Sequence, residues 1–304
     1  MRVVSLPCLG GRPIALPIML RLLRPRDDAH PDRPSQPELA RTLIDMILKR
    51  FTARAVELVM DGAYATKAWR GLPERVTVTT RMRANAALFA LAPPPTGKRG
   101  RPPLRGARLG SLAQLAAAAV FEPVTITAPH GRSRTEHVSS TRCLWYGPLH
   151  TRPVVIMLIR EPNRTEGFDV ALASTDSTAT SAQLIARYDS RWSIETANQE
   201  AKAHGVGEAR NRVQRAVERT VPFGFLAQTI TIAWYALHGD PDADLQARRR
   251  QAPWYRHKAT ISYSDMLAAL RRELIRHEYR AQAPTATSTP QITSAPPPSA
   301  LAAA

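Results

Sequence analysis

Apolar residues in the N-terminal third of the chain are spaced first as in strands and then as in a helix. Two short apolar runs, residues 3–9 and 14–23, flank a pair of glycines and predict a β-hairpin. From 37 to 51 large apolar residues recur every fourth position, which predicts an amphipathic helix. Apolar runs at 56–60 and 76–81 predict two further strands, with a short helix between them. This order indicates an α/β fold.

The stretch from 84 to 180 is rich in strand-like patterns and is too long for a simple connecting loop. We therefore expect a β-rich inserted subdomain. Its predicted strands are residues 124–127, 136–146, 154–160 and 170–175.

The C-terminal part is mostly helical by its pattern. Residues 181–204 predict a helix that ends at Gly205, and 221–237 is apolar enough for a core helix behind it. A last helix is predicted over 262–280. The expected organisation is a first part of the core (1–83), the insertion (84–180), core helices (181–239), a basic extension (240–282) and a disordered tail (283–304).

The charge balance narrows the class of partner. The chain has 304 residues, with 42 Lys plus Arg against 25 Asp plus Glu, which gives a net charge of +17. This excess favours a polyanionic partner, either nucleic acid or an anionic membrane surface. A GC-rich genome would also enrich arginine, but the cations are clustered along the chain, and clustering favours nucleic acid.

Cysteine usage and hydropathy add two expectations. Cys8 and Cys143 are the only cysteines, and neither has the spacing of a metal ligand, so we expect reduced thiols in a cytoplasmic, nucleoid-associated protein. No apolar run reaches the roughly 18 residues of a membrane helix, and we expect no membrane partner.

One polar stripe stands out in the predicted helix 181–204. Tyr188, Arg191, Glu195 and Lys202 follow one another at offsets of 0, 3, 7 and 14. Because a helix advances about 100° per residue, all four lie on one face. Such a stripe is either a solvated face or a site in which a carboxylate holds a divalent cation and the cations hold phosphate.

The same four-residue spacing resembles the tyrosine-arginine-glutamate-lysine signature of bacterial insertion-sequence transposases of the DDE class. Trp192 supports the resemblance, since that family often has Arg-Trp at this point. The family has a ribonuclease-H-like core of a mixed sheet flanked by helices, often with a β-rich insertion. The resemblance implies DNA transposition: an Mg²⁺- or Mn²⁺-dependent endonuclease and strand transferase that acts on transposon ends and target DNA, as a homodimer assembled on DNA.

By resemblance, Asp61 and Glu195 are the second and third catalytic acids and the metal ligands. Asp61 ends an apolar strand and is followed by Tyr64, as in the family. The resemblance also implies phosphate contacts from Arg191 and Lys202 and positioning of the DNA strand by Tyr188. Tyr64 and Trp192 would support the site.

The first acid of the family is not found. Asp27, Asp28 and Asp32 follow the predicted hairpin in a proline-rich loop, whereas the family carries that acid on a strand before the hairpin. We therefore expect a chain that begins inside the fold and has weak or no activity, because two acids hold a metal pair poorly. The alternative function is that of a non-catalytic DNA-binding remnant.

Three basic segments complete the list of candidates. The loop 93–108 includes Lys98, Arg99 and Arg101 and resembles the core of an AT-hook, which binds the minor groove; the alternative is a loop that contacts phosphates without base preference. Arg212, Arg215 and Arg219 share one helical face, and 248–258 interleaves cations with aromatics. Each of the last two patterns suits DNA contact or an ordinary solvated surface equally well.

Overall fold

The computed structural model describes residues 2–5, 13–24, 26–94, 100–127, 133–208 and 213–282. The strands are β1 (Arg2–Ser5), β2 (Pro13–Leu16), β3 (Val56–Met60), β4 (Val76–Arg81), β5 (Glu122–Thr127), β6 (Ser133–Leu144), β7 (Pro153–Arg160) and β8 (Val170–Ser174). The helices are α1 (Gln36–Arg50), α2 (Leu112–Ala117), α3 (Tyr146–Leu149), α4 (Ser181–Asp189), α5 (Trp192–Glu200), α6 (Gln214–His238), α7 (Pro241–Gln251) and α8 (Tyr263–Gln282).

Six strands form one mixed sheet in the order β3-β4-β8-β7-β6-β5. Only β3 and β4 run parallel; each of the other pairs is antiparallel. The sheet is curled and flanked by helices, which is compatible with the predicted ribonuclease-H-like fold. The strands of the predicted insertion extend this sheet, because β8 pairs with β4 from Thr79 opposite Ser174 to Arg81 opposite Leu172.

The hairpin at the start of the chain lies outside that sheet. β1 and β2 pair with each other as a separate two-stranded sheet, and residues 6–12 between them lie outside the described part. The second strand is shorter than predicted, since residues 17–24 form no regular strand. They lie along α6 instead: the Thr229 hydroxyl donates to the Pro17 carbonyl at 2.8 Å, and Arg24 pairs with Glu218.

Successive side chains of β7 lie on opposite faces of the large sheet, and both faces are packed against other elements. Ile156 and Leu158 pack in one cluster with Trp69 and the half-buried Ile44 of α1. The intervening Met157 and Ile159 pack on the opposite face against Leu184 and Ile185 of α4. A third cluster joins β2 to α6, α7 and α8. Helix α4 is therefore anchored directly on the sheet.

Several element boundaries agree with the sequence pattern, and others do not. Helix α1 begins at a capping box formed by Ser35 and Glu38, within one residue of the predicted start. Strands β3 and β4 have the predicted bounds. The short helices α2 and α3 were not expected, and α3 begins at Tyr146, so β6 ends earlier than predicted.

Helix α6 packs on the core, as predicted, but only through one of its faces. Gly224, Gln228, Thr231 and Tyr235 are buried, whereas the opposite face is exposed. By length and composition this helix could span a membrane, with a mean hydropathy of 1.2 and a third of that window buried. The expectation that no stretch is long and apolar enough for a membrane helix is therefore wrong. A core helix of a soluble protein meets the same criterion of length and composition.

Candidate active site

Asp61 lies directly after β3, at the start of a tight 3-10 turn formed by Gly62–Tyr64. Its Oδ1 accepts a hydrogen bond from the Ala63 amide at 2.9 Å. Arg83 holds the same turn from outside, because its guanidinium donates to the carbonyls of Gly62 and Ala63 at 3.1 and 3.2 Å. The position of the Asp61 carboxylate is thus fixed by its own turn and by the residues that follow β4.

Gly62 lets the turn pass close to β4. A Cβ at this position would lie 2.9 Å from the Arg81 carbonyl oxygen, nearer than side-chain carbons approach in proteins. Tyr64 closes the other side of the turn: its hydroxyl accepts from Gln36 of α1 at 2.5 Å, and its carbonyl accepts from the Trp69 indole at 2.6 Å. Tyr64 therefore ties the turn to α1 and to Trp69.

Arg187 connects the helix of the predicted stripe to the sheet. Its guanidinium pairs with Glu57 of β3 at 2.7 Å and with Asp176, which follows β8, at 3.1 Å. The Thr178 hydroxyl, the backbone amides of Thr178 and Ala179 and the Arg187 guanidinium lower the pKa of Asp176 to about 2. These contacts place α4 beside the strand that ends at Asp61.

Tyr188 is half-buried at the end of α4. Burial raises the pKa of its phenol, and the charges of Arg191, Asp61 and Arg81 act on it as well. Arg187, the residue before Tyr188, pairs with Glu57 of β3, so the end of α4 lies beside the strand that leads to Asp61. Arg81 ends the neighbouring strand β4 and Arg83 contacts the Asp61 turn, and both are exposed cations.

The predicted helix 181–204 consists of α4, α5 and a final 3-10 turn, Ala201–His204. Ser190 and Arg191 interrupt it while keeping helical backbone angles. The Ser190 hydroxyl donates to the Arg187 carbonyl at 2.6 Å, which competes with the helical pattern. Gly205 ends the segment in the left-handed conformation, as predicted.

Arg191 joins the other two residues of this part of the stripe. Its guanidinium lies 5.7 Å from the centre of the Tyr188 ring, and its Nη2 donates to Glu195 Oε1 at 3.0 Å. The Glu195 side chain is 44 % exposed. Lys202, on the final turn, is exposed, and Trp192 is 65 % exposed beside them. Tyr188, Arg191 and Glu195 thus form a connected series from the end of α4 into α5.

The carboxylates of Asp61 and Glu195 are of the type that binds Mg²⁺ or Mn²⁺. Each already makes one contact through one oxygen, with Ala63 and Arg191 respectively. In the described part of the chain no three His, Cys, Asp or Glu residues form a group that could hold a metal ion. The donors therefore fit a divalent cation in kind, and two carboxylates fall short of an acid triad in number.

The basic loop 93–108 is described only in part. Lys98 and Arg99 lie outside the described residues, and Arg101 is exposed. Arg105 is exposed and lies against two aromatic rings, since its guanidinium is 4.1 Å from the centre of the Phe89 ring and 4.7 Å from that of Tyr146. The second half of the loop is thus fixed by cation–π contacts.

The two aromatic residues of the basic extension differ in their surroundings. Tyr255 lies between Arg248 and Lys258, 4.8 and 5.3 Å from its ring centre, and is a structural residue. Trp254 is 77 % exposed and could stack on a base. On α6, Arg215 and Arg219 are exposed, and Arg212 lies outside the described residues.

Sequence reasoning missed Arg187, Asp176, Arg81 and Arg83 as contributors to this region. Arg81 ends a predicted strand and Arg83 follows it, so their position beside Asp61 could have been inferred from the parallel pairing of β3 and β4. The contacts of Arg187 depend on how α4 crosses the sheet, and the local sequence carries no signal for that.

Residues 4–152 match the family model described as DDE superfamily endonuclease. No curated protein matches the chain. The matched region contains Asp61, its turn and the exposed cations Arg81 and Arg83, and it ends before the helix that carries Glu195. Together with the fold and the stripe, this match supports the resemblance to DDE-class transposases. Over residues 4–152, close to half of its length, the chain is similar to the DDE superfamily endonucleases.

Proposed function

We propose that this protein is the transposase of an insertion sequence, which binds duplex DNA at the transposon ends, cleaves it and joins it to target DNA. The observation that carries the proposal is the Arg187–Glu57 ion pair, which joins the helix that carries Tyr188 to the strand that precedes Asp61. The family match supplies the nuclease chemistry. A homodimer on DNA and a cytoplasmic location follow from the same proposal.

The residues around Asp61 suit a phosphodiester backbone. Arg81, Arg83 and Lys202 are exposed cations, and Arg191 is partly buried beside Tyr188. Cations of this kind neutralise phosphates irrespective of sequence, and arginine binds them through two hydrogen bonds. Trp192 offers an exposed aromatic face against which an unpaired base would stack.

The two carboxylates are proposed to hold the divalent cation of the reaction. Mg²⁺ or Mn²⁺ would ready an attacking oxygen and stabilise the leaving one. The Arg191–Glu195 ion pair orients one oxygen of Glu195 and leaves the other available. In the same way, the Ala63 amide occupies only Oδ1 of Asp61.

A second candidate function is DNA binding without catalysis. It is favoured by one observation: the described residues contain no group of three metal-binding side chains. Since affinity for a divalent ion grows with the number of charged ligands, two carboxylates predict weak cleavage at best. Both candidates share the basic surface and therefore predict salt-dependent DNA binding.

The test compares Glu195→Gln with Glu273→Gln. Both glutamates lie on helices, pair with an arginine three or four residues away and have nearly equal exposure, 44 % and 45 %. Duplex DNA is incubated with each protein and Mg²⁺ or Mn²⁺, and nicking and DNA affinity are measured separately. We expect Glu195→Gln to abolish nicking while it leaves affinity within about threefold, and Glu273→Gln to change neither.

The result also separates the two candidates. DNA binding without nicking by the unmodified chain, at any concentration of either metal ion, selects the non-catalytic function. Nicking that survives Glu195→Gln rejects the proposed site. Absence of salt-dependent DNA binding rejects both functions.

A further inference from the structure

Helix α6 has a second apolar face, opposite to the one that packs on the core. Phe223, Leu226, Ile230 and Leu237 are 72, 52, 54 and 78 % exposed. At about 100° per residue they lie on the side of the helix opposite to the buried Gln228 and Tyr235. Soluble helices usually place polar residues on this side, so the exposed face requires a partner.

The spacing of the exposed residues is that of a coiled-coil seam. Relative to Phe223, the offsets are 3, 7 and 14, and Ala233, also exposed, supplies offset 10. These are alternating a and d positions over two heptads. Such a seam packs against another helix with the same spacing, and α6 of a second copy of the chain is such a helix.

The segment 17–24 widens this apolar surface. It lies beside α6 through the Thr229–Pro17 hydrogen bond and the Arg24–Glu218 ion pair. Ile18, Leu20 and Leu22 are 44, 36 and 51 % exposed at alternate positions. With the five seam residues of α6, these three residues form an apolar surface of eight side chains.

Charges at the two ends of α6 select the orientation of the partner. Arg215 and Arg219 are exposed near its start, and Asp240 and Asp242 are exposed just beyond its end. Arg219 occupies a d position of the seam itself. Parallel helices would bring these arginines together, whereas antiparallel helices bring the arginine end of one against the aspartate end of the other.

We propose that the exposed face of α6 binds the same face of a second copy, antiparallel, about a two-fold axis near Ile230. The interface is isologous, so each of its contacts occurs twice. We expect this dimer to form without DNA. The proposal therefore does not depend on the nuclease function or on a dimer that assembles only on DNA.

A lipid bilayer is the competing partner for an apolar helix, and contacts on the other face of α6 disfavour it. Gln228 is fully buried and donates to the Ala197 carbonyl of α5 at 3.0 Å. The Tyr235 hydroxyl donates to Asp244 of α7 at 2.9 Å. Insertion of α6 into a membrane would detach it from both helices and leave these polar groups without partners.

The experiment compares Ile230→Lys with Ile275→Lys in the full chain, without DNA. Ile275 on α8 is the matched control, since it is an exposed helical isoleucine of equal exposure, 53 % against 54 %. We expect the unmodified chain and Ile275→Lys to sediment at twice 33.5 kDa. Ile230→Lys places two ammonium groups on the axis and should weaken the dimer about 100-fold or more.

A charge-reversal series tests the orientation. Arg219→Glu and Asp242→Lys should each weaken the dimer, and their combination should restore it, because the antiparallel arrangement brings the two positions together. Circular dichroism confirms that each variant is folded. The proposal is overturned by a monomeric unmodified chain, by a dimer that Ile230→Lys leaves intact, or by a monomer that floats with phosphatidylcholine vesicles.

Discussion

The guanidinium of Arg187 and the carboxylate of Glu57 form an ion pair of 2.7 Å between α4 and β3. One residue after Arg187 comes Tyr188, and four residues after Glu57 comes Asp61. The pair therefore fixes the distance between the two segments that carry the candidate site. Because the Arg187 side chain is only 16 % exposed and also pairs with Asp176, its removal leaves a half-buried carboxylate without its cation.

Replacement of Arg187 by Met should destabilise the fold by about 1–3 kcal/mol, the usual cost of a buried partner left unsatisfied. Urea unfolding measures the change. Arg164→Met is the control, since Arg164 pairs with Asp169 at an exposed loop, and such pairs contribute about 0–1 kcal/mol. Equal destabilisation of the two variants would show that Arg187 does not anchor α4.

The depressed pKa of Asp176 predicts how that stability depends on pH. The folded value, about 2, lies below the usual value of a free aspartate, so the charged form stabilises the fold. This contribution is complete above the unfolded pKa of about 4 and is lost as pH falls toward 2. The free energy of unfolding should therefore differ between the unmodified chain and Asp176→Asn at neutral pH, and the difference should shrink below about pH 4. A difference that stays constant down to pH 2 would contradict the assignment.

Gly62→Ala tests the close packing of the turn against β4. The added methyl would meet the Arg81 carbonyl at 2.9 Å, so β4 or the turn must shift. We expect a loss of about 1–3 kcal/mol in stability, as for other overpacked positions, together with weaker DNA nicking, because Asp61 moves with the turn. Gly147→Ala is the control: its methyl meets no atom within 4 Å, and stability should be unchanged or slightly higher. Full stability of Gly62→Ala would disprove the tight contact.

Local patterns were sufficient to predict the elements that surround the candidate site. The bounds of β3 and β4 follow from their apolar runs, and α1 follows from its fourfold spacing and capping residues. The stripe from Tyr188 to Lys202 requires only helical periodicity. These features depend on neighbours in sequence, and sequence spacing reports such neighbours directly.

Other features depend on partners far along the chain. Nothing in the local pattern of β8 shows that it pairs with β4 and joins the supposed insertion to the main sheet. Helix α6 is apolar on two faces, so its composition predicts burial, and only the packing shows that one face is exposed. Helix α2 was missed although Ser111 and Gln114 form a recognisable capping box.

The central claim is that Asp61 and Glu195 belong to one metal-binding site, and Fe²⁺-directed backbone cleavage tests it most directly. Fe²⁺ replaces Mg²⁺, and ascorbate with peroxide generates radicals that cut the chain beside the bound ion. The account predicts cuts near both residue 61 and residue 195, with both sets lost in Asp61→Asn and in Glu195→Gln and both retained in Glu273→Gln. The account is contradicted if cuts appear near only one of the two positions. It is also contradicted if each variant removes only the cuts near its own residue.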